Sequence, residues 1–375
     1  MIPLNKPGSI DCFVTDPYLE EHFAEFHHYW FSSAGDGLNV AYKYLRNKYG
    51  SLRVGVSPLA CFLAIEPIVL NGHIPVFLDI DPNTFNMDSR LLASKSQDVD
   101  AVEVVHLGGN PNEMDVITSW ARNNNKIIIE DCAQALGSKY DDVEMGAFGD
   151  FSCYSMMKNL YAPVGGLLLS KENIEMDALP VVPRRLVEYR VIKKHLESHA
   201  NHNAVSLWNW VYYWLLKSKG NNTSSSSIQY ELSIKMKDQL ICMLPSIYEL
   251  NRLRRKHSCF MSEKIDPRRF FIQKELQKGE SNRNRLLIKT LDKEAKNLIK
   301  YLRENGIAAN NLTQSYLNPF QSHISQDRIL GEYYSSSQLK NYDEIFDSLI
   351  AIPCSPFLME KEMVYIVNKL NSYYQ

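Results

Sequence analysis

The chain lacks the features that are typical of secreted proteins, of proteins with a structural metal site and of membrane-spanning proteins. Its seven cysteines are scattered and form no Cys-x-x-Cys pair, which argues against a disulfide framework and against a zinc site. The first residues show no basic-then-apolar signal pattern, and no apolar run reaches the roughly 18 residues that span a bilayer. A formal net charge of -2 provides no global attraction to nucleic acid. We therefore expect a cytoplasmic protein that binds neither nucleic acid nor a structural metal.

What is present is enough apolar sequence for a large core. The chain has 375 residues, of which 45% are hydrophobic, and it should form about two domains. Between residues 54 and 170, short β-rich segments alternate with stretches of helix length, which predicts an α/β fold with a mainly parallel central sheet. Ligands of such sheets bind at the carboxyl ends of the strands. The predicted strands are Arg53–Val56, Ile74–Asp79, Ala101–His106, Lys126–Glu130 and Gly166–Ser170.

The pattern changes after Ser170, and it indicates three segments: 1–182, 183–227 and 228–375. The first is the ligand-binding domain, the second a helical and loop insertion, and the third begins with a long helix and ends in a smaller α+β unit. The elements predicted after Ser170 are helical segments over Pro183–Ser218, a polar loop at Lys219–Ser227, a helical region over Ile228–Glu263, a strand at Arg269–Ile272, and helices over Lys289–Asn305 and Glu360–Tyr374.

One aromatic-rich stretch, Leu207–Leu216, is too short to cross a membrane. It is typical of a helix that packs in the interior or on a partner subunit. Because tryptophan and tyrosine favour membrane interfaces, a weak peripheral membrane contact is the alternative.

Three local patterns carry candidate chemistry. Asp131 ends a buried strand, where it can meet a ligand or cap the next helix. Lys158 lies in an apolar segment behind two methionines; such a lysine can supply an amine for imine formation, although a surface position is the alternative. The small residues at 32–37 begin a predicted helix, whose first N–H groups can bind a phosphate.

In order and spacing, these patterns resemble the central signature of the DegT/DnrJ-type pyridoxal-phosphate-dependent sugar aminotransferases. The resemblance covers nearly the whole chain apart from residues 183–227. It implies a three-layer transferase fold of type I, with a smaller C-terminal α+β domain. The matching motifs are Pro75–Asn86, His106–Pro111, Ile127–Gly137, Gly146–Asp150, Tyr154–Leu160, Gly165–Gly166 and Ile352–Leu358.

The resemblance also implies roles for individual residues. Lys158 would carry pyridoxal phosphate as a Schiff base and then move the proton of the reaction. Asp131 would lie against the pyridinium nitrogen, and Gln134 would face the ring or its phenolic oxygen. Ser155 and the backbone at Ala34 and Gly35 would hold the phosphate. The remaining cofactor-binding candidates are Phe62, beside the ring, and Ser233, in a segment that in this family reaches the neighbouring subunit's cofactor.

The chain departs from the family pattern at several of these positions. Family members commonly have Ser-Gly-Thr where Ser33-Ala34-Gly35 stands, and the segment between Ser155 and Lys158 is two residues shorter than usual. Cys61 followed by Phe62 occupies the place of a stacking aromatic residue, and Ser233 begins Ser-Ile-Lys-Met where Asn-x-Arg-Met is common. We therefore expect a weaker grip on the phosphate.

The function that the resemblance implies is transfer of an amino group, from glutamate, to a keto group of a nucleotide-linked deoxysugar, in the synthesis of a surface polysaccharide or glycan precursor. A homodimer is expected. Arg184, Arg185 and Arg190 are candidates for binding the nucleotide diphosphate, or else form a solvated basic helix. The alternatives are a noncatalytic binding protein of the same fold and a related sugar dehydratase, although that branch has histidine in place of the lysine.

Overall fold

The computed structural model describes residues 17–198, 230–292, 295–310 and 339–374. A seven-stranded sheet in the order β1-β9-β8-β5-β4-β2-β3 lies at its centre. Strands β2, β3, β4, β5 and β8 pair in parallel, and β9 runs antiparallel to its neighbours β8 and β1. The predicted α/β fold with a mainly parallel sheet is therefore confirmed. The strands of this part of the chain are β1 (His27–Phe31), β2 (Arg53–Val56), β3 (Ile74–Phe77), β4 (Ala101–Val105), β5 (Ile127–Asp131), β6 (Lys139–Tyr140), β7 (Val143–Glu144), β8 (Phe151–Ser155) and β9 (Gly166–Ser170).

Helices cover both faces of the sheet and make the architecture three-layered. Strand β4 shows why, because its side chains alternate between two cores: Ala101 and Val105 belong to one, and Val102 and Val104 to the other. Helices α2 and α3 pack on the first face, whereas α1 and α5 pack on the second. The helices are α1 (Pro17–Phe23), α2 (Ala34–Tyr49), α3 (Phe62–Leu70), α4 (Leu91–Ser94), α5 (Met114–Asn124), α6 (Met156–Asn159) and α7 (Arg184–Ser198).

The C-terminal part of the chain builds a second, smaller α+β unit with its own core. Its antiparallel sheet has the order β10-β12-β13, while β11 pairs with β6 and so ties this unit to the large one. The elements of this part of the chain are α8 (Ile234–Met243), α9 (Ile247–Ser262), β10 (Phe270–Ile272), β11 (Gly279–Glu280), β12 (Leu286–Thr290), α10 (Ala295–Glu304), α11 (Lys340–Ile345), β13 (Leu349–Ile352) and α12 (Glu360–Ser372). Of these, α8 and α11 pack into the two cores of the large unit.

Two helix predictions are wrong in their bounds. The predicted helical region Ile228–Glu263 is two helices, α8 and α9, separated by a short turn at Leu244–Ser246 that contains a proline. In the predicted helix Lys289–Asn305, Lys289 and Thr290 belong instead to β12, and the described helix covers Ala295–Glu304. That strand is paired on both sides, by β10 and by β13, and this pairing overrides the local helical pattern.

Some predictions fall outside the described residues. They are the aromatic stretch Leu207–Leu216 and the polar loop Lys219–Ser227. The division into segments 1–182, 183–227 and 228–375 stays a prediction. In the described part of the chain, every helix is too short or too polar to cross a membrane.

Candidate functional site

Strand β5 carries Asp131 to the carboxyl edge of the central sheet. The side chain is only 7% exposed, and its Oδ1 accepts a hydrogen bond of 2.8 Å from the Ala133 N–H, which shapes the turn after the strand. Its second carboxylate oxygen has no hydrogen-bond partner among the described residues. Asp131 therefore serves the local turn with one oxygen and leaves the other available to a ligand.

A second carboxyl group, that of Glu103 on β4, lies behind Asp131 on the same face of the sheet. Glu103 is fully buried and accepts a hydrogen bond from the Tyr42 hydroxyl. Burial raises the pKa of Glu103 well above its usual range, and the Asp131 carboxylate raises it further. The fold therefore favours the protonated form of Glu103, which would keep a second negative charge away from Asp131.

Lys158 lies in the short helix α6, directly after β8. The next residue, Asn159, is buried, and its Nδ2 donates to the Ala133 carbonyl at 3.0 Å and to the Ser155 carbonyl at 2.8 Å. The Lys158 carbonyl accepts a bond of 3.1 Å from Asn284 Nδ2, just before β12. Lys158 itself is half-buried and lines a cavity of about 400 Å³. The backbone around this lysine is thus tied to the turn after Asp131 and to the smaller unit.

The N-terminus of α2 closes another side of the site. Gly166 is the register partner of Ser155, and a Cβ at Gly166 would lie 2.5 Å from Ala34 N and still closer to the Ser33 carbonyl. Only glycine permits this approach, which brings the first turn of α2 beside the end of β8. Ser155 is buried, and in the described chain its hydroxyl has no partner. Ser33 caps α2 by accepting from the Asp36 N–H at 3.3 Å, whereas the N–H groups of Ala34 and Gly35 are left without an acceptor inside the helix.

Cys61, at the start of α3, lies within electrostatic range of both Lys158 and Asp131. Burial raises the pKa of the Cys61 thiol, the Lys158 ammonium lowers it, and the Asp131 carboxylate raises it. A Cβ at Gly35 would lie 3.7 Å from the Leu63 carbonyl, so the starts of α2 and α3 adjoin. These contacts bring Cys61 into the site. Phe62 is the first residue of α3, and stacking of its ring on a cofactor stays a prediction.

The two other predicted cofactor residues have structural partners of their own. The Gln134 carbonyl accepts a bond of 2.8 Å from Asn282 Nδ2, and the side chain is partly exposed. Ser233 caps α8 by accepting from the Met236 N–H at 3.4 Å. The structure thus brings Asp131, Ser155 and Lys158 to one edge of the sheet with the start of α2, whereas the described contact of Ser233 is with its own helix.

Of the three predicted arginines, Arg190 alone lines the cavity. Arg184 and Arg185 are exposed on α7, where Arg184 pairs with Glu188 at 2.8 Å, and neither lines the cavity. Arg190 does line it and donates to the Ser32 carbonyl at 3.0 Å. Arg285, which no sequence pattern singled out, lines the same cavity.

On the opposite face of the sheet, His106, Glu130 and Cys132 place three possible metal-ligand atoms within 4.8 Å of one another. The Glu130 carboxylate, however, already accepts N–H groups from Gly146, Phe148 and Gly149, as well as a contact of 3.1 Å with His106. Burial raises the pKa of Cys132 well above its usual range, so its thiol stays protonated. The cluster therefore anchors the loop after β7.

Residues 15–197 match the model of the DegT/DnrJ/EryC1/StrS aminotransferase family. The match covers 183 of the 375 residues, so just under half of the chain is similar to this family. The resemblance inferred from the motifs is thereby confirmed.

Three relatives illustrate the likeness. The chain is 32% identical over 181 residues to the spore coat polysaccharide biosynthesis protein SpsC of Bacillus subtilis, covering 48% of the chain and 44% of SpsC. It is 32% identical over 166 residues to the GDP-perosamine synthase of Escherichia coli O157:H7, covering 42% of the chain and 45% of that enzyme. The match spans less than half the length of either relative. The structure of Helicobacter pylori PseC, an aminotransferase involved in the biosynthesis of pseudoaminic acid, superposes with a TM-score of 0.68 at 18% identity, over 95% of this chain and 88% of PseC.

Proposed function

We propose that the chain is a pyridoxal-phosphate-dependent aminotransferase. It moves an amino group, from glutamate, to a keto group of a nucleotide-linked deoxysugar in the synthesis of a surface polysaccharide or glycan precursor. The observation that carries the proposal is that Lys158 lies at the same edge of the sheet as two buried groups, Asp131 and Ser155. Each of these two keeps a polar atom without a partner in the described chain. The names of the relatives, a polysaccharide biosynthesis protein and a GDP-sugar synthase, support the substrate class.

The residues at this edge of the sheet fit pyridoxal phosphate. The free Asp131 oxygen can accept a hydrogen bond from a protonated ring nitrogen. The Ser155 hydroxyl, with the N–H groups of Ala34 and Gly35, can hold the phosphate, which the dipole of α2 also favours. When bound, the cofactor supplies an aldehyde that combines with amines and a ring that accepts electrons.

Side chains of the protein would position the cofactor and transfer the proton of the reaction. Lys158 would hold the cofactor through Nζ, and as a free amine the same Nζ would take a proton from the substrate carbon and return it. Asn159 and Asn284 hold the lysine backbone on two sides, so that the amine moves only by its own side-chain torsions. Asp131 would provide the negative charge that a cationic ring requires, and burial of Glu103 favours the neutral form of that second carboxyl group.

The same proposal includes a two-fold symmetric homodimer in the cytoplasm. Ile234, on α8, is 79% exposed and Leu63, on α3, is 57% exposed. Large apolar side chains left in water on helices that begin beside the site favour burial against a second copy. In such a dimer, Ser233 would contribute to the partner's cofactor site.

The decisive experiment is reduction of the cofactor-loaded protein with borohydride, followed by peptide mapping. We expect the label on Lys158, and none in Lys158→Ala, whereas Lys171→Ala should label as the wild type does, because Lys171 pairs with Asp150 at a distant, exposed strand end. Attachment to another lysine would contradict the assignment. Absorption spectra before and after addition of glutamate then test the enzyme: a bound cofactor that glutamate leaves unchanged would favour the noncatalytic binding protein, which the departures at Ala34, Cys61 and Ser233 suggest.

A further inference from the structure

Arg285 occupies a position that the proposed chemistry has not yet used. It follows Asn284, which bonds the Lys158 carbonyl, and it precedes β12. Its half-buried side chain lines the cavity of about 400 Å³ that Lys158 also lines. A ligand held by Lys158 would therefore lie within reach of a guanidinium group.

The guanidinium of Arg285 has no hydrogen-bond or ion-pair partner in the described parts of the chain. Neighbouring arginines are bonded: Arg283 to Glu275 at 2.6 Å, and Arg190 to the Ser32 carbonyl. A guanidinium carries five N–H donors, and partial burial without an acceptor costs free energy. That cost is offset if an acceptor arrives with a ligand.

A positive charge accumulates around this part of the cavity. Cys354 lines the cavity, and burial raises the pKa of its thiol to about 12. The charges of Arg283, Arg254 and Arg285 lower that pKa, so all three guanidinium groups lie within electrostatic range of the Cys354 thiol. Arg283 has a carboxylate partner in Glu275.

Arg254 adds to this charge. It is fully buried and bonds only neutral acceptors, Asn251 Oδ1 at 2.6 Å and the Asn159 carbonyl at 2.5 Å. Among the described residues, two of the three guanidinium groups thus lack a carboxylate partner. The cavity attracts an anion.

We propose that Arg285 is the oxyanion-binding residue of the Lys158 cavity, where its guanidinium forms paired hydrogen bonds with a carboxylate or phosphate group of a substrate. The inference rests on the proposed function for the identity of those substrates. Both the carboxylate of an amino-acid amine donor and the diphosphate of a nucleotide-linked sugar match the planar fork of arginine. Arg254, which is closed off from the cavity by burial, contributes its charge and not a direct bond.

The test measures direct binding, so it does not depend on turnover. Glutarate, a dicarboxylate without the amine, and inorganic pyrophosphate are titrated calorimetrically into the cofactor-loaded wild type, Arg285→Gln and Arg285→Lys. We expect Arg285→Gln to weaken binding of at least one probe by about tenfold or more, and Arg285→Lys to recover part of the loss, because lysine keeps the charge without the fork. Arg268→Gln is the control, since Arg268 is 86% exposed and pairs with Asp266 at 2.8 Å.

Each arm identifies one source of the oxyanion. Weaker glutarate binding assigns Arg285 to the amine donor, and weaker pyrophosphate binding assigns it to the nucleotide.

Wild-type protein that binds neither probe overturns the proposal, as does an Arg285→Gln protein of unchanged melting temperature that binds both probes as the wild type does. If Arg285→Gln does not fold, Arg285→Lys decides, and unchanged binding of both probes in that variant overturns the proposal. Borohydride mapping on the same preparations shows separately whether Lys158 carries the cofactor, so failure of the proposed function is distinguishable from failure of this inference.

Discussion

Asn284 Nδ2 donates a hydrogen bond of 3.1 Å to the carbonyl oxygen of Lys158, from which it is 126 residues distant in sequence. Two residues earlier, Asn282 Nδ2 donates to the Gln134 carbonyl at 2.8 Å. The short segment before β12 therefore holds both the lysine backbone and the turn after Asp131. The smaller unit completes the site that the large unit begins.

Asn284→Ala should loosen the lysine without removing it. We expect the cofactor still to attach to Lys158 but to be lost faster on dialysis. The free energy of unfolding should fall by about 1 kcal/mol, because the substitution removes a hydrogen bond to a partly buried carbonyl. The control is Asn305→Ala, which removes a comparable 2.8 Å bond to the Tyr301 carbonyl far from the site. Equal cofactor retention in the two variants would show that the Asn284 contact does not position Lys158.

Asp131→Asn should leave the fold intact and lower turnover by orders of magnitude. The amide oxygen can still accept the Ala133 N–H, so the turn is kept, but a neutral group cannot hold a proton on the ring nitrogen. Steady-state kinetics with glutamate as the amine donor measures the loss, and thermal unfolding provides the check on folding. Turnover near that of the wild type would refute the assigned role.

Stability should depend on pH through Glu144, on β7. The carboxyl group is buried, and burial raises its pKa to about 7, while Lys139 lowers it. Because the folded state favours the protonated form, this contribution to stability is fully present below the ordinary pKa of about 4.5 and is lost as the pH rises through about 7. The loss between pH 4.5 and 8 should be on the order of 3 kcal/mol.

Denaturant unfolding at pH 5 and at pH 8 measures this dependence. Glu144→Gln should flatten it, whereas Glu20→Gln, at an exposed position on α1, should not. The neighbouring His22 acts in the opposite direction, because burial lowers its pKa and its neutral form is favoured in the fold. A Glu144→Gln profile as steep as that of the wild type would rule out Glu144 as the source.

If the protein is a homodimer, light scattering should give a mass of about twice the 43.2 kDa of the chain. Ile234→Lys should shift the equilibrium toward monomer, because it places a charge on an exposed apolar position that the second copy would bury. Leu291→Lys, at a position 53% exposed in the smaller unit, should leave the mass unchanged. A wild-type monomer that still binds the cofactor would exclude the dimer.

Several strands of the large unit could be predicted from local sequence patterns. The strands at 101–105 and 127–131 are mostly apolar, with Glu103 inside the first and two acidic residues at the end of the second. Strands of this kind are buried in parallel sheets, and both could be placed from the sequence within a residue or two. The position of Asp131 at a strand end followed from the same patterns, whereas β8, the strand that precedes Lys158, was not among the predicted strands. The family motifs pointed to the chemistry of both residues.

Contacts between distant segments could not be predicted in this way. Nothing local distinguishes Arg285, which lines the cavity, from Arg184, which lies in solvent, and the segment at 289–290 became a strand only because β10 and β13 pair with β12. Cys61 and Asn284 reach the lysine because separate elements pack against one another. The sequence by itself determined the periodicity, the strand ends and the reactive groups, since these depend on neighbours along the chain; the tertiary structure decided which polar groups surround Lys158, because burial and proximity arise only from packing.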